Sequence, residues 1–106
     1  MTIAPFETKI GDKVVTLELT YQACHRVSEY FGGLVPANHR VAAVDTEAMR
    51  KILATGLNKP LAADDGMDAM IYEAGALTVQ PILFDYLDRL ATGGRGTPKV
   101  KPDVAA

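Results

Sequence analysis

The chain has 106 residues, of which 48% are hydrophobic and 23% charged, and its formal net charge at pH 7 is -2. A chain of this length folds as one domain that buries roughly 60 to 70% of its unfolded surface, and the composition excludes a largely disordered protein. The slightly negative charge gives no attraction to nucleic acid phosphates or anionic membranes, and no apolar run approaches the ~20 residues of a membrane span.

The N-terminal part shows strand periodicity, with a turn between two runs in which apolar and polar residues alternate. Phe6–Ile10 is predicted as the first strand, and a second strand follows Gly11 and Asp12. Glycine at the first central position favours a type II′ hairpin turn, which fixes the register of the strands. The predicted pairs are Phe6 with Leu17, Thr8 with Val15 and Ile10 with Lys13.

After the hairpin, the apolar spacing changes to every third or fourth residue, which predicts a helix from Tyr21. Thr20 stands at the N-cap position, where its hydroxyl can accept a hydrogen bond from the first turn. Gly32 and Gly33 end the helix, because glycine adopts the left-handed conformation without a Cβ penalty.

A further helix is predicted after Asp45 or Thr46, either of which can cap it. Gly56 lies on its apolar side, where the missing side chain leaves room for a close neighbour. Arg50 and Lys51 are expected to point outward. The apolar stripe comprises Met49, Ile52, Leu53 and Leu57.

Two more helices complete the pattern. The first is predicted to start at Asp64 or Asp65 and to end at Gly75, with an inner face of Met67, Met70 and Ile71. The last is predicted to start near Thr78, because Pro81 is tolerated only in a first turn. Its apolar stripe comprises Val79, Ile82, Leu83, Tyr86, Leu87 and Leu90.

The predicted fold class is α+β: an N-terminal two-stranded β-hairpin followed by a small bundle of about four helices. Residues 34–44 stay open: Pro36 and Asn38 favour a turn, whereas residues 41–44 are compatible with a short helix. Residues 1–91 are interpreted as a single globular domain. Residues 92–106 are rich in glycine, proline and lysine and are predicted to form a flexible C-terminal tail.

The sequence offers no catalytic, cofactor-binding or metal-binding constellation, so we expect a protein that is not an enzyme. Cys24 and His25 are adjacent, and adjacent side chains diverge on a helix, which argues against a nucleophile and base pair. Cys24 is interpreted as a buried structural thiol. The acidic residues 64–68 lack the alternating carboxylates of a calcium loop.

Residues 46–74 also fit two helices joined by a short connection, which is the layout of a DNA-binding helix-turn-helix. The second of these helices would carry Asp65, Asp68 and Glu73 and no Lys or Arg. Its charge would repel the DNA backbone, so nucleic acid is not an expected partner. The single cysteine and the lack of a signal peptide pattern favour a cytoplasmic protein.

Four short motifs carry a family resemblance: LELT at residues 17–20, EYFG at 29–32, ILATGL at 52–57 and EAG at 73–75. With the hairpin before them and the final helix after them, the chain resembles the small tail assembly chaperones of long-tailed phages, in particular those of gene transfer agents and related prophages. The resemblance extends over residues 6–91.

The resemblance implies a non-enzymatic chaperone that acts in the cytoplasm of a bacterial host. Its expected partners are the tape measure protein and the tail tube protein, and the pattern is also compatible with a homo-oligomer. A minor structural tail protein and a small DNA-binding regulator are the alternatives. The exposed hairpin edges and the face of Met67, Met70 and Ile71 are the candidate partner-binding surfaces, because methionine adapts to varied partners; alternatively, these methionines fill the core.

Overall fold

The computed structural model describes residues 6–58 and 66–93, and within them a β-hairpin precedes five helices. The predicted α+β class is confirmed. The helix count is one more than the predicted four, because residues that the sequence left open also form a helix. The elements are β1 (Phe6–Ile10), β2 (Lys13–Leu17), α1 (Tyr21–Phe31), α2 (Leu34–Ala42), α3 (Thr46–Gly56), α4 (Met67–Ala74) and α5 (Ala76–Ala91).

The hairpin has the predicted register. β1 and β2 are antiparallel, with Phe6 opposite Leu17, Thr8 opposite Val15 and Ile10 opposite Lys13. Gly11 has a φ of +63°, and the φ of Asp12 is not positive. A type II′ turn requires this combination. One face of the ribbon is therefore apolar, and its residues Ile10, Val15 and Leu17 are buried against the helices.

Residues 34–42, left open by the sequence, form helix α2. Pro36 is the third residue of this helix, a position whose N–H has no partner within the helix, so the proline removes no hydrogen bond. The Asn38 side chain donates to the Leu34 carbonyl oxygen at 3.1 Å, within the same helix. Ala37 and Val41 are fully buried, and their packing outweighs the turn preference of the proline and asparagine.

Helix α3 lies at the centre of the fold, because it packs against β2 and against each of the other four helices. Asp45 caps it, as its Oδ1 accepts from the backbone N–H groups of Glu47 at 3.1 Å and Ala48 at 3.2 Å. The helix is buried on more than one side, unlike an amphipathic surface helix. Its buried residues are Ala48, Met49, Arg50, Ile52, Leu53, Ala54, Thr55 and Gly56.

The expectation that Arg50 points outward is wrong, since only 7% of the residue is exposed. Its Nη2 donates to Glu47 Oε1 at 2.6 Å, and its Nε lies 3.8 Å from Asp68 Oδ1 on α4. Helix α4 packs over this side of α3 and buries the aliphatic part of the arginine side chain. The guanidinium group reaches the exposed carboxylates of Glu47 and Asp68. Arg50 thus joins α3 to α4.

The hairpin meets the helices at Gly56. A Cβ atom added there would lie 2.9 Å from Leu17 Cδ2, 3.0 Å from Leu17 Cβ and 3.2 Å from Tyr86 Cζ, so the predicted close neighbour is present. The Gly56 carbonyl oxygen accepts from the Glu18 N–H at 2.7 Å. The Tyr86 hydroxyl in turn donates to the Glu18 carbonyl oxygen at 2.7 Å. We call Leu17, Glu18, Gly56 and Tyr86 the hairpin junction.

Helix α5 begins earlier than predicted. It starts at Ala76, so Pro81 is its sixth residue and not part of a first turn. Proline has no N–H to donate to the Leu77 carbonyl, but both residues are exposed, so water can reach this carbonyl. The break before the helix is confined to Gly75, whose φ is +94°. The predicted helix start at Asp64 or Asp65 and residues 94–106 of the predicted tail lie outside the described residues.

We expect the variant Gly56→Ala to be less stable than the natural protein by about 1 to 3 kcal/mol, despite the higher helix propensity of alanine. The added methyl group would overlap Leu17, which the β-ladder holds in place. Urea unfolding measures the change. Leu17→Ala removes the Cδ2 contact but keeps the Cβ atom, so it should relieve part of the overlap. A double mutant whose loss equals the sum of the single losses would contradict this packing.

Tyr86→Phe removes the hydroxyl that bonds the Glu18 carbonyl, and we expect a loss of about 1 to 2 kcal/mol. Burial, with a smaller contribution from the Glu18 carboxylate, raises the pKa of Tyr86 above its ordinary value of 10.0. Above about pH 10 the unfolded chain releases this proton and the folded chain keeps it, so stability falls as the pH rises. Urea unfolding at about pH 9 and about pH 11 should show a smaller fall for Tyr86→Phe; equal falls would contradict a buried, neutral Tyr86.

Candidate functional site

A groove of about 390 Å³ lies between the hairpin turn and helix α4. The hairpin contributes residues 10–13 to its wall, and α4 contributes Ala69, Met70, Glu73 and Ala74, with Gly66 just before the helix. The two walls meet closely, since a Cβ atom added to Gly11 would lie 3.6 Å from Ala74 Cβ. We call this space the tip groove.

The structure separates the three residues that the sequence proposed for partner binding. Met67 and Ile71 are 2% and 1% exposed and belong to the core. Met70 is half-buried, packs against the core with part of its side chain and lines the tip groove. Partner binding by these residues stays a prediction, and the surface available for it on α4 is that of Met70.

Charged side chains surround the apolar part of the tip groove. Asp12 and Lys13 stand on the hairpin and Glu73 on α4, and all three are exposed. Within residues 6–58 and 66–93, none of the three forms an ion pair. An apolar floor with a polar rim is the usual composition of a protein-binding surface. The rim carries both signs of charge, which suits a partner with both.

Helix α4 is held in place from two directions. Its apolar side inserts Met67 and Ile71 into the core, and Asp68 lies 3.8 Å from the buried Arg50 of α3. Arg50 also binds Glu47 at 2.6 Å, and this contact lowers the pKa of the Glu47 carboxyl. The groove wall therefore has a fixed position relative to α3, which favours a preformed binding surface.

A second, smaller cavity of about 220 Å³ lies between the start of α1 and the end of α5. Cys24 lines it together with Arg89 and Leu90, so the thiol is half-buried, whereas full burial was expected. His25 points away to the surface, where its Nε2 lies 3.5 Å from Glu29 Oε1. The two adjacent side chains diverge as the helix geometry predicts, and they form no catalytic pair.

The titratable groups whose pKa values depart from the ordinary ones have structural roles. Arg40 lowers the pKa of Asp45, whose carboxylate caps α3, and Arg50 does the same for Glu47. Burial raises the pKa of Tyr86 in the hairpin junction. None of these groups lines the tip groove. Among the described residues, no three His, Cys, Asp or Glu side chains are placed to hold a metal ion.

In the described part of the chain, every helix is too short or too polar to span a membrane. The chain was also compared with known proteins, and no family model, curated protein or solved structure matches it. The candidate site is therefore defined by its geometry.

No pattern in the sequence indicates that the hairpin turn forms one wall of the groove. Gly11 and Asp12 were interpreted only as turn residues, since the contact with Ala74 joins distant parts of the chain. Tyr72 was also missed, although it is 85% exposed on α4. Its position beside the predicted inner face indicates exposure, but a single exposed aromatic residue does not identify a site.

The different burial of the two methionines predicts different costs of truncation. We expect Met67→Ala to lower the free energy of unfolding by about 2 to 5 kcal/mol, as for other fully buried methionines. Met70→Ala should cost less than about 2 kcal/mol, because part of that side chain is already in water. Chemical unfolding of both variants tests this order, and the reverse order would contradict the full burial of Met67 and the partial exposure of Met70.

Proposed function

We propose that this chain is a tail assembly chaperone of a phage, prophage or gene transfer agent. In this proposal it has no enzymatic activity and works in the cytoplasm of the bacterial host while tails are built. It binds the tape measure protein and brings tail tube subunits to it. The four motifs between residues 17 and 75 support the family, and the tip groove supports a binding role.

The observation that carries the proposal is the position of Met70 in the tip groove. A tape measure protein is long, helical and rich in apolar residues, so it needs a partner that covers apolar side chains until the tube surrounds them. Met70 and Ala69 give the groove an apolar surface, and charged side chains lie around it. An unbranched methionine side chain can adapt to successive, different segments of such a partner.

The alternatives make different demands on the same surface. A DNA-binding regulator needs a basic helix, whereas α4 carries Asp68 and Glu73 and no Lys or Arg. A minor structural tail protein would use similar contacts but would stay in the finished particle. The location of the chain after assembly therefore separates this alternative from a chaperone.

Co-expression tests the proposal. The chain is produced with the tape measure and tail tube proteins of the same genetic element, and the dissolved fraction of the tape measure protein and its co-purification are measured. We expect a complex that keeps the tape measure protein in solution and that is absent from mature particles. Recovery of this chain from mature particles would support a structural tail protein instead. Failure to bind either the tape measure protein or the tail tube protein would contradict the proposal.

A matched pair of variants tests the groove itself. Ala69→Arg places a long charged side chain at an exposed helical position in the groove wall, without disturbing the core. Ala42→Arg makes the same change at an exposed position of α2 outside the groove. We expect Ala69→Arg to bind the tape measure protein no longer and Ala42→Arg to bind it as the natural protein does, with unchanged helix content in both. Equal binding by the two variants would contradict a role for the groove.

A further inference from the structure

The hairpin turn determines which backbone groups of β1 point away from β2. In a hairpin with a two-residue turn, the residues that flank the turn exchange hydrogen bonds, and bonded pairs then recur at every second residue. Here Ile10 flanks the turn opposite Lys13, so Thr8 and Phe6 also bond to β2. The N–H and C=O groups of Glu7 and Lys9 therefore point outward from the sheet.

This outer edge of β1 is open. The sheet has only two strands, and within residues 6–58 and 66–93 no group bonds to the outward N–H and C=O of Glu7 or Lys9. The outer edge of β2 is occupied only at its end, where the Glu18 N–H donates to the Gly56 carbonyl oxygen of α3, and its other outward residues, Val14 and Thr16, carry no charge. An open strand edge is a template for a further strand.

The two residues of the open edge also carry opposite charges. Glu7 and Lys9 are exposed, and their side chains lie on the same face of β1 because they are two positions apart. Neither forms an ion pair within the described parts of the chain. The edge thus presents one negative and one positive side chain next to unbonded backbone groups.

We propose that the β1 edge is a self-association site that joins two copies of this chain. The two β1 strands lie antiparallel around a twofold axis at Thr8, so that Glu7 of each copy is opposite Lys9 of the other. These opposed residues exchange four backbone hydrogen bonds in total, and their side chains form two ion pairs. The interface is isologous, as expected for a symmetric dimer.

The charge pattern selects this register and this partner. An antiparallel register shifted by two residues places Glu7 opposite Glu7, or Lys9 opposite Lys9. Like charges directly opposite each other destabilise a strand pair, whereas opposite charges stabilise it. A lysine at a strand edge discourages unrelated strands, but here a second copy supplies the matching glutamate.

The other face of the hairpin fits the same arrangement. In the proposed register Phe6 of each copy is opposite Ile10 of the other, and Thr8 is opposite Thr8. Phe6 and Ile10 already contribute to the core of their own copy, so the apolar layer would continue across the twofold axis. The result is a four-stranded sheet, which is more stable than an isolated two-stranded ribbon.

Charge reversal tests the site on the full 106-residue chain by sedimentation velocity from micromolar to near-millimolar concentration. In Glu7→Lys, each ion pair becomes a contact of two positive charges, and in Lys9→Glu a contact of two negative charges. We expect the dissociation constant of each variant alone to be up to about tenfold higher than that of the natural protein. An equimolar mixture of the two variants should associate again, because every contact across the mixed dimer then joins opposite charges.

Two further variants serve as controls. Glu7→Lys combined with Lys9→Glu in one chain restores both ion pairs and should associate like the natural protein. Glu29→Lys makes the same charge change on the exposed side of α1 and should leave association unchanged. A natural protein that stays monomeric at every concentration would overturn the proposal. An equimolar mixture of Glu7→Lys and Lys9→Glu that fails to associate would also overturn it, as would an equal loss of association in Glu29→Lys. None of these results depends on the tape measure protein.

Discussion

The whole arrangement depends on the absence of a side chain at Gly56. Helix α3 is surrounded by the hairpin and four helices, and at its end Leu17 and Tyr86 both approach the glycine backbone closely. This proximity lets the Glu18 N–H reach the Gly56 carbonyl and the Tyr86 hydroxyl reach the Glu18 carbonyl. Packing and hydrogen bonding therefore both act at the hairpin junction. They hold the strand pair, which would be only marginally stable alone, in one position against the helices.

Both proposed surfaces follow from that position. With the end of β2 fixed at the hairpin junction, the two-residue turn places the opposite end of the hairpin against α4, where Gly11 approaches Ala74 and the tip groove opens. The same anchoring uses the end of the β2 edge and leaves the β1 edge with Glu7 and Lys9 unbonded. The groove and the open edge lie at different parts of the hairpin, so a dimer could bind two partner segments.

The sequence predicted the elements whose signals are local, and missed features that depend on neighbours. Alternation and the turn glycine predicted the hairpin register correctly, because both act within a few residues. Pro36 favours a turn when only its neighbours are considered, although a first-turn proline is also compatible with α2. Periodicity predicts an outward Arg50, because it separates polar from apolar residues but cannot show that α4 covers the arginine stem. Helical spacing also cannot distinguish Met67 from Met70, since both lie within one apolar face, and which of them is buried depends on how α4 packs against the core.

Hydrogen exchange of the backbone amides tests the hairpin junction most directly. The account predicts that the Glu18 amide, together with the Thr8 amide inside the hairpin, is as strongly protected as the amides of α5 around Tyr86, because hairpin and helices open together. Exchange of these hairpin amides many times faster than those of α5 would contradict it, since the hairpin would then open while the helices stay folded.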